Sequence, residues 1–248
     1  MKIGIIGTGN IGGTLARTLS EAGHEIKVAN SRGVDAVRSF ASEISAIPTD
    51  IEGAVTDVDA VILSIPLSAF SNLPEQLFED LPHHVPVIDT SNYYPGLLSP
   101  QIASLDDGQT ESEWVQEQIR HPVIKAFNNI LAHSLAELGL PKGSRGRLAV
   151  AVAGDHHDAV QIAMSLVNDI GFDPVFTGPI SESWRQQPCT PSYCCDWEAA
   201  TMLRALPLAK KGEGSARLPL LYASFKHLGE TPTHEDIIEN NRAINWPV

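Results

Sequence analysis

Short apolar runs alternate with amphipathic stretches along most of the chain. Two of the runs, VILSI at residues 61–65 and LAVAVA at residues 148–153, are nearly continuous, which is typical of parallel strands covered on both faces. The pattern predicts strands at residues 2–6, 25–29, 60–65, 86–89, 123–127, 148–153 and 174–176. It predicts helices between them at residues 11–22, 34–43, 69–78, 113–120 and 157–170. Such alternation predicts a doubly wound, mainly parallel α/β sheet.

The pattern changes after about residue 179. Residues 181–197, SESWRQQPCTPSYCCDW, are rich in polar residues, proline and cysteine, and they are interpreted as a linker. Helical patterns follow at residues 198–210, 218–227 and 235–242, and the polar stretch at residues 97–110 is interpreted as an exposed loop. We therefore expect a sheet domain over residues 1–180 and a small helical C-terminal region, or cap, over residues 181–248.

Residues 7–12 read GTGNIG, a G-x-G-x-x-G turn directly after the first predicted strand and at the start of a helical pattern. Gly7 permits a tight turn, Gly9 allows a pyrophosphate to approach the backbone, and Gly12 allows the helix to pack against the strand. The start of the helix offers free N–H groups to the phosphates. The alternative is an ordinary glycine-rich turn, but the order strand, turn, helix favours a dinucleotide-binding Rossmann fold.

The second predicted strand ends in Asn30, Ser31 and Arg32, followed by Gly33, and it has no carboxylate there. An NAD-preferring site usually has an acid at this point, which would repel a ribose 2′-phosphate. Ser31 can donate a hydrogen bond to that phosphate, and the guanidinium of Arg32 can pair with it. This pattern favours NADP(H), and a solvated turn is the alternative.

Three further strand ends are polar, and in a parallel sheet they meet at one edge. They read Ser64-Ile65-Pro66, Asp89-Thr90-Ser91-Asn92-Tyr93-Tyr94-Pro95 and Lys125-Ala126-Phe127-Asn128-Asn129. Turn chemistry alone could explain each of them, but their convergence favours a ligand site. Lys125 and Asn128 are the candidate catalytic residues, and Lys125 has the alternative of a structural ion-pair partner. No nucleophile elbow and no complete proton-transfer arrangement is evident.

Composition argues against several classes of function. The formal net charge of -13 argues against a nucleic-acid partner and an anionic membrane surface. The chain shows neither a membrane-length apolar run nor a signal peptide, and its three cysteines are expected to be free thiols, so we expect a cytoplasmic protein. The pairs His83-His84 and His156-His157 lack the spacing of metal ligands, and no metal is expected.

Several segments together resemble a known family: residues 3–33, VILSIP, VIDTSN, VIKAFNN, AGDHHDA and GFDPVFTGPIS. Over residues 1–181 the chain resembles the NADP oxidoreductases of the coenzyme F420-dependent type. It is also similar to the NADPH-binding domain of the STEAP-type metalloreductases, notably at VIKAFN.

The resemblance implies direct hydride transfer between the nicotinamide of NADPH and a flat cyclic acceptor, either coenzyme F420 or a flavin. Such chemistry needs alignment more than a catalytic acid, and family analogy implies a homodimer. The cofactor-binding residues implied are Gly7, Thr8, Gly9, Asn10, Ile11 and Gly12 for the pyrophosphate; Asn30, Ser31 and Arg32 for the 2′-phosphate; and Ser64, Ile65, Pro66, Ala126, Phe127 and Asn128 around the nicotinamide.

The NYYPG segment and residues 181–197 depart from the pattern of the deazaflavin enzymes, so the acceptor stays open between a deazaflavin, a flavin-like molecule and another small molecule. Two other functions stay open too: a redox sensor that binds NADPH without turnover, and a small-molecule dehydrogenase with Lys125 as acid. The direction of the reaction and the role of the segment with Cys189, Cys194 and Cys195 are also open.

Overall fold

The computed structural model describes residues 1–246, so the last two residues of the expected C-terminal region lie outside the described part. The strands are β1 (Lys2–Ile6), β2 (Glu25–Ala29), β3 (Ile47–Pro48), β4 (Ala60–Leu63), β5 (Val87–Asp89), β6 (Val123–Lys125), β7 (Ala149–Val152) and β8 (Asp173–Phe176). The helices are α1 (Asn10–Glu21), α2 (Val34–Glu43), α3 (Ile51–Val55), α4 (Ala103–Asp106), α5 (Glu111–Ile119), α6 (Ala132–Glu137), α7 (His157–Asp169), α8 (Ala199–Ala205), α9 (Glu213–His227) and α10 (His234–Asn245). Three 3₁₀ helices span Leu67–Asn72, Ile180–Gln186 and Leu206–Leu208.

Six strands form one parallel sheet in the order β3-β2-β1-β4-β5-β6. The strand order reverses direction at β1, so β1 and β4 flank the point where a ligand enters a doubly wound sheet. A second parallel pair, β7-β8, joins the edge through an antiparallel bridge between Lys125 and Ala153. The expected mainly parallel, Rossmann-like sheet with a helical C-terminal region is confirmed.

Alternate residues of each central strand enter different apolar cores on the two faces of the sheet. In β4, Ile62 belongs to a core with α1, α2 and α7, whereas Val61 and Leu63 belong to a core with the 3₁₀ helix Leu67–Asn72 and α5. All three are fully buried. Covering on both faces is the reason that these strands are continuous apolar runs in the sequence.

Three expected features are wrong, and two of them lie within residues 69–110. Residues 69–78 were expected to form an α-helix, but the structure has the 3₁₀ helix Leu67–Asn72 followed by turns. Leu73 precedes Pro74, and its ψ of 146° is extended, as expected where the proline ring clashes with a helical neighbour. The loop at residues 97–110 is only partly exposed, because it contains α4 and buries Leu105.

Residues 181–197 are not a linker. Ser183, Gln186 and Cys189 are fully buried, and the segment begins with the 3₁₀ helix Ile180–Gln186. Helix α10 packs over its second half, where Asn241 Nδ2 donates to the Cys194 carbonyl at 2.8 Å and Asn245 Nδ2 donates to the Tyr193 carbonyl at 2.8 Å. The polar composition serves buried hydrogen bonds rather than solvent exposure.

Candidate functional site

The turn between β1 and α1 needs glycine at two positions because of the protein's own packing. Gly7 has φ +103°, and a Cβ there would lie 2.1 Å from the Ser64 carbonyl oxygen. At Gly12 a Cβ would lie 2.0 Å from the Gly7 carbonyl oxygen. Only glycine avoids both contacts, so α1 starts directly against the ends of β1 and β4.

Gly9 is different, because nothing in the protein requires a glycine there. Its φ of -78° is ordinary, and a Cβ would meet no atom within 4 Å. It is exposed and forms the N-cap of α1 without a side-chain cap. The open space therefore lies in front of the free N–H groups at the positive end of a 12-residue helix. A phosphate group fits such a cradle, and a side chain at Gly9 would fill it.

The turn after β2 lies beside the glycine turn. Asn30 Nδ2 donates to Thr8 Oγ1 at 3.3 Å, and the Arg32 N–H donates to Asn30 Oδ1 at 2.9 Å. Ser31 and Arg32 are exposed. Within residues 1–246 no carboxylate pairs with Arg32; the acid that follows it, Asp35, pairs with Arg38 at 2.8 Å. The guanidinium is thus available to an anion at this edge of the sheet.

The polar ends of β4, β5 and β6 do converge on one edge, since the three strands are parallel neighbours. Ser64 and Ile65 are half-buried and Pro66 is exposed, so this group borders open space next to the glycine turn. Ala126 and Phe127 are fully buried and Asn128 is 2% exposed. Residues 126–128 therefore form a covered part of the edge rather than an open wall.

Asn128 lies in a network of buried amides. Its Nδ2 donates to Asn92 Oδ1 at 3.1 Å and to the Gln186 carbonyl at 2.8 Å. Gln186 Nε2 donates in return to Asn128 Oδ1 at 3.0 Å and to the Ala151 carbonyl at 3.2 Å. These bonds attach the segment after Ile180 to the strand ends. They make Asn128 a positioning group rather than an exposed proton donor.

Lys125 is fully buried in a charge cluster. Its Nζ donates to Asp89 Oδ2 at 2.9 Å and to the Ser91 carbonyl at 2.6 Å, and it lies 3.7 Å from Glu111 Oε2. Asp89 also accepts from the Ser112 hydroxyl at 2.7 Å. An ammonium held in this way is an ion-pair partner, so the geometry favours the structural alternative for Lys125 over the catalytic acid.

Glu111, the first residue of α5, was missed by the sequence analysis, which started this helix two residues later. Its side chain is buried, and its Oε2 has no hydrogen-bond partner within residues 1–246. Burial raises the pKa of Glu111 to about 7, and the charge of Lys125 opposes that rise. The available sequence signal was an acid at the start of a helical pattern, because acids are enriched in the first turn of helices.

The cysteines and histidines form no evident reactive centre. Cys189, Cys194 and Cys195 are free and buried, and burial raises the pKa of Cys189 and of Cys195 to about 12, so these thiols stay protonated. The rings of His83 and His156 lie 6.0 Å apart. In the described part of the chain no three His, Cys, Asp or Glu side chains are arranged to hold a metal ion.

Comparison with known proteins decides the family. The model of the family described as NADP oxidoreductase, coenzyme F420-dependent, matches residues 2–93, which contain strands β1 to β5, the glycine turn and the Ser31-Arg32 pair. Over 109 residues the chain is 84% identical to the putative protein YjhV of Escherichia coli K12, a match that covers 44% of this chain and 80% of the relative.

The chain belongs to the family of coenzyme F420-dependent NADP oxidoreductases. The family match supports NAD(P)-dependent oxidoreductase activity.

Solved structures agree on the fold. A hypothetical protein, SMa0349 from Sinorhizobium meliloti, superposes with a TM-score of 0.62 at 27% identity, covering 74% of this chain and 87% of that one. A putative F420-dependent NADP-reductase from Arthrobacter sp. FB24 superposes with a TM-score of 0.58 at 19% identity, covering 92% and 95%. In this chain, no helix among the described residues is long and apolar enough to cross a membrane.

Proposed function

We propose that this chain binds NADPH and transfers hydride between its nicotinamide and a deazaflavin or flavin-like acceptor. The observation that carries the proposal is the open cradle at Gly9, which lies beside the exposed, carboxylate-free turn at Ser31 and Arg32. The family of the chain supports the oxidoreductase class. The family match does not identify the acceptor, which is proposed from the sequence resemblance.

The glycine turn would hold the pyrophosphate. The backbone N–H groups at the start of α1 point at open space, and the partial positive charge of the helix end favours two phosphates there. Thr8 and Asn10 frame this space from either side of Gly9. The residues assigned to this role are Gly7, Thr8, Gly9, Asn10, Ile11 and Gly12.

Arg32 and Ser31 would hold the ribose 2′-phosphate. A planar guanidinium can form two parallel hydrogen bonds to a phosphate, and a serine hydroxyl adds a third. Asn30 would keep the backbone of Arg32 next to Thr8, because its amide bonds to both. NADP(H) would therefore bind more tightly than NAD(H), which lacks the group these side chains contact.

Ser64, Ile65 and Pro66 would border the nicotinamide, and residues 126–128 would support the opposite side through the amide network. When bound, NADPH supplies the hydride, and the task of this chain is to align donor and acceptor and to exclude water. Because Lys125 is enclosed by Asp89, Ser91 and Glu111, a dehydrogenase that uses Lys125 as its acid has less support.

Stopped-flow mixing tests the proposal. NADPH-loaded protein is mixed with coenzyme F420, FMN or FAD, and nicotinamide oxidation is followed by the loss of NADPH absorbance. Hydride transfer to at least one acceptor, absent with the Gly9→Ala variant, is the expected result. Tight NADPH binding without transfer to any acceptor would refute the enzyme and leave the sensor function, which needs no turnover.

We also propose that the chain forms a homodimer and that residues 181–248 form a cap on the sheet domain. The structure describes this cap as far as residue 246. Several apolar side chains of the C-terminal helices are exposed, namely Leu203, Leu208, Leu220 and Phe225, which supports self-association through this region. Light scattering after size exclusion would measure the mass. A monomer at micromolar concentration would refute the dimer and leave the NADPH site unaffected.

A further inference from the structure

A small cleft lies between the start of α9, the segment after Ile180 and the start of α5. We call it the Glu111 cleft; the lining residues that matter here are Tyr93, Glu111, Trp184, Gln187, Lys211 and Gly214. Its volume is about 50 Å³, room for a few waters or one small polyatomic group. None of the residues assigned to NADPH lines it.

The start of α9 presents unpaired donors to this cleft. Gly212 is the N-cap and provides no side-chain cap. The N–H groups of Gly214 and Ser215, which both line the cleft, make no hydrogen bond to a backbone carbonyl outside α9 among residues 1–246. Gly214 also allows close packing, because a Cβ there would lie 2.6 Å from the Pro188 carbonyl oxygen. The positive end of this 15-residue helix is thus held over the cleft.

Lys211 adds a full positive charge beside these donors. It is exposed and pairs with no carboxylate of the described residues, whereas its neighbour Lys210 pairs with Glu213 at 3.3 Å. The chain as a whole has a net charge of -13, and Lys211 adds a positive charge without a carboxylate partner among the described residues next to the start of α9. Such a combination attracts an anion.

The side chain of Glu111 is an independent observation, because one of its carboxylate oxygens has no hydrogen-bond partner in the described residues. It is 5% exposed, and its Oε2 has no hydrogen bond within the described residues, since Lys125 Nζ is 3.7 Å away and donates to Asp89 and Ser91 instead. Buried polar atoms without a partner are rare, and each calls for a ligand, a water or a proton. Because the pKa of Glu111 is raised to about 7 by burial, its carboxyl group can donate a hydrogen bond near neutral pH.

We propose that the Glu111 cleft binds a small oxyanion, held by Lys211 and by the N–H groups of Gly214 and Ser215, with the carboxyl group of Glu111 as a further contact. The size of the cleft suits a sulfate, a phosphate group or a small carboxylate. The oxyanion is either a free ion or the anionic group of the acceptor; the second source rests on the proposed function, and the first does not.

Calorimetric titration with sodium sulfate tests the site directly. Sulfate keeps its charge across neutral pH, and chloride holds the ionic strength constant, so the titration reports the protein alone. Lys211→Gln should weaken sulfate binding at least fivefold. Lys226→Gln is the matched control, because Lys226 is an exposed lysine in the last turn of the same helix. No sulfate binding to the wild-type chain, or equal weakening by both variants, would overturn the proposal.

The pH dependence of the same titration identifies the role of Glu111. The groups that act on it from the sheet edge are Asp89, Tyr93 and Lys125. Lys210 and Lys211, which directly precede α9, line the same cleft, and no histidine lines it. Sulfate affinity should fall up to tenfold between pH 6 and 8, since ionised Glu111 repels the ion. The neutral Glu111→Gln variant should bind sulfate with no such fall. An equal fall in both proteins would remove Glu111 from the site.

Two acceptors that differ only by a phosphate distinguish the sources. If the cleft holds the anionic group of the acceptor, FMN should have a KM at least fivefold below that of riboflavin, and Lys211→Gln should abolish the difference. If it holds a free ion, sulfate binds and the two KM values are equal. If neither flavin is reduced, the proposed function fails, but the sulfate titration still tests the anion site. The two proposals can therefore fail independently of each other.

Discussion

Asn30 joins the two turns on which cofactor binding is proposed to depend: its Nδ2 donates to Thr8 Oγ1 at 3.3 Å. The same side chain accepts a hydrogen bond from the Arg32 N–H at 2.9 Å through Oδ1. One amide therefore sets the distance between the glycine turn and the arginine. The role resembles that of a spacer, since neither bond uses the groups that would contact phosphate.

Asn30→Ala should weaken the binding of NADPH and NADH by a similar factor. Losing the two hydrogen bonds would free both turns, at a cost of about 1 kcal/mol each and so up to roughly 30-fold in affinity. Fluorescence titration with both nucleotides measures the two Kd values. A loss confined to NADPH would mean instead that Asn30 contacts the 2′-phosphate itself.

Arg32→Ala should weaken NADPH binding far more than NADH binding. A charge-assisted pair of hydrogen bonds to phosphate contributes about 1.5–3 kcal/mol, or roughly 10- to 100-fold in affinity. The ratio of the Kd values for the two nucleotides is the measurement. Arg38→Ala is the control, because Arg38 is exposed and already paired with Asp35. An unchanged ratio in Arg32→Ala would refute the assignment of the 2′-phosphate.

Gly9→Ala should abolish NADPH binding without unfolding the chain. The backbone at Gly9 is ordinary and a Cβ meets no protein atom within 4 Å, so the stability should change by less than about 1 kcal/mol. Gly7→Ala is the contrast, because its Cβ would lie 2.1 Å from the Ser64 carbonyl oxygen at φ +103°, and it should unfold at a much lower temperature. Thermal melting and NADPH titration of both variants separate the two roles. Normal NADPH affinity in Gly9→Ala would contradict the cradle.

The sequence predicts the sheet well where strands are long and covered on both faces. The expected bounds of β1, β2 and α2 agree with the structure. The fully buried strands β4 and β7 lie within the apolar runs at residues 60–65 and 148–153, because burial on both faces makes a strand continuous and apolar. Strand β3 has only Ile47 and Pro48, too few residues to show a period. The helix expected at residues 69–78 crosses Pro74, whose effect on Leu73 outweighs the helical pattern.

The candidate site likewise has one part that the sequence predicts and another part that it does not. The glycine turn is recognisable because its residues are adjacent in the chain and their spacing expresses the mechanism. Gln186 and Glu111 were missed because their partners are distant: Gln186 bonds to Asn128, 58 residues away, and Glu111 faces Lys125 across the sheet edge. The polar composition of the segment around Gln186 is typical of a linker, because composition alone does not distinguish buried polar residues from exposed ones.

Lys125→Met should destabilise the chain by about 3–5 kcal/mol, because it leaves Asp89 buried without its cation. Urea unfolding measures the free energy. Lys142→Met, at an exposed lysine, controls for the loss of a charge. Adding Asp89→Asn to Lys125→Met should recover part of the loss, since the uncompensated charge is gone. A change below about 1 kcal/mol in the single variant would mean that the ion pair contributes little to the fold.

The buried carboxyl of Glu111 should make the stability depend on pH in the acid range. Its pKa is raised from 4.5 to about 7 in the folded chain, so between those values the folded state holds a proton that the unfolded state has lost. Stability from this group is therefore full below pH 4.5, falls as the pH rises, and levels off above about 7.

The free energy of unfolding of the wild-type chain relative to Glu111→Gln should consequently fall by on the order of 3 kcal/mol between pH 4.5 and 8. Glutamine cannot ionise, so the difference between the two proteins isolates this one carboxyl from all other titrating groups. Urea unfolding of both proteins across the range measures it, and Glu79→Gln, at an exposed glutamate, is the control that should stay parallel to the wild type. Parallel curves for Glu111→Gln as well would show that Glu111 titrates normally and that its carboxyl reaches solvent or a partner when the chain is folded.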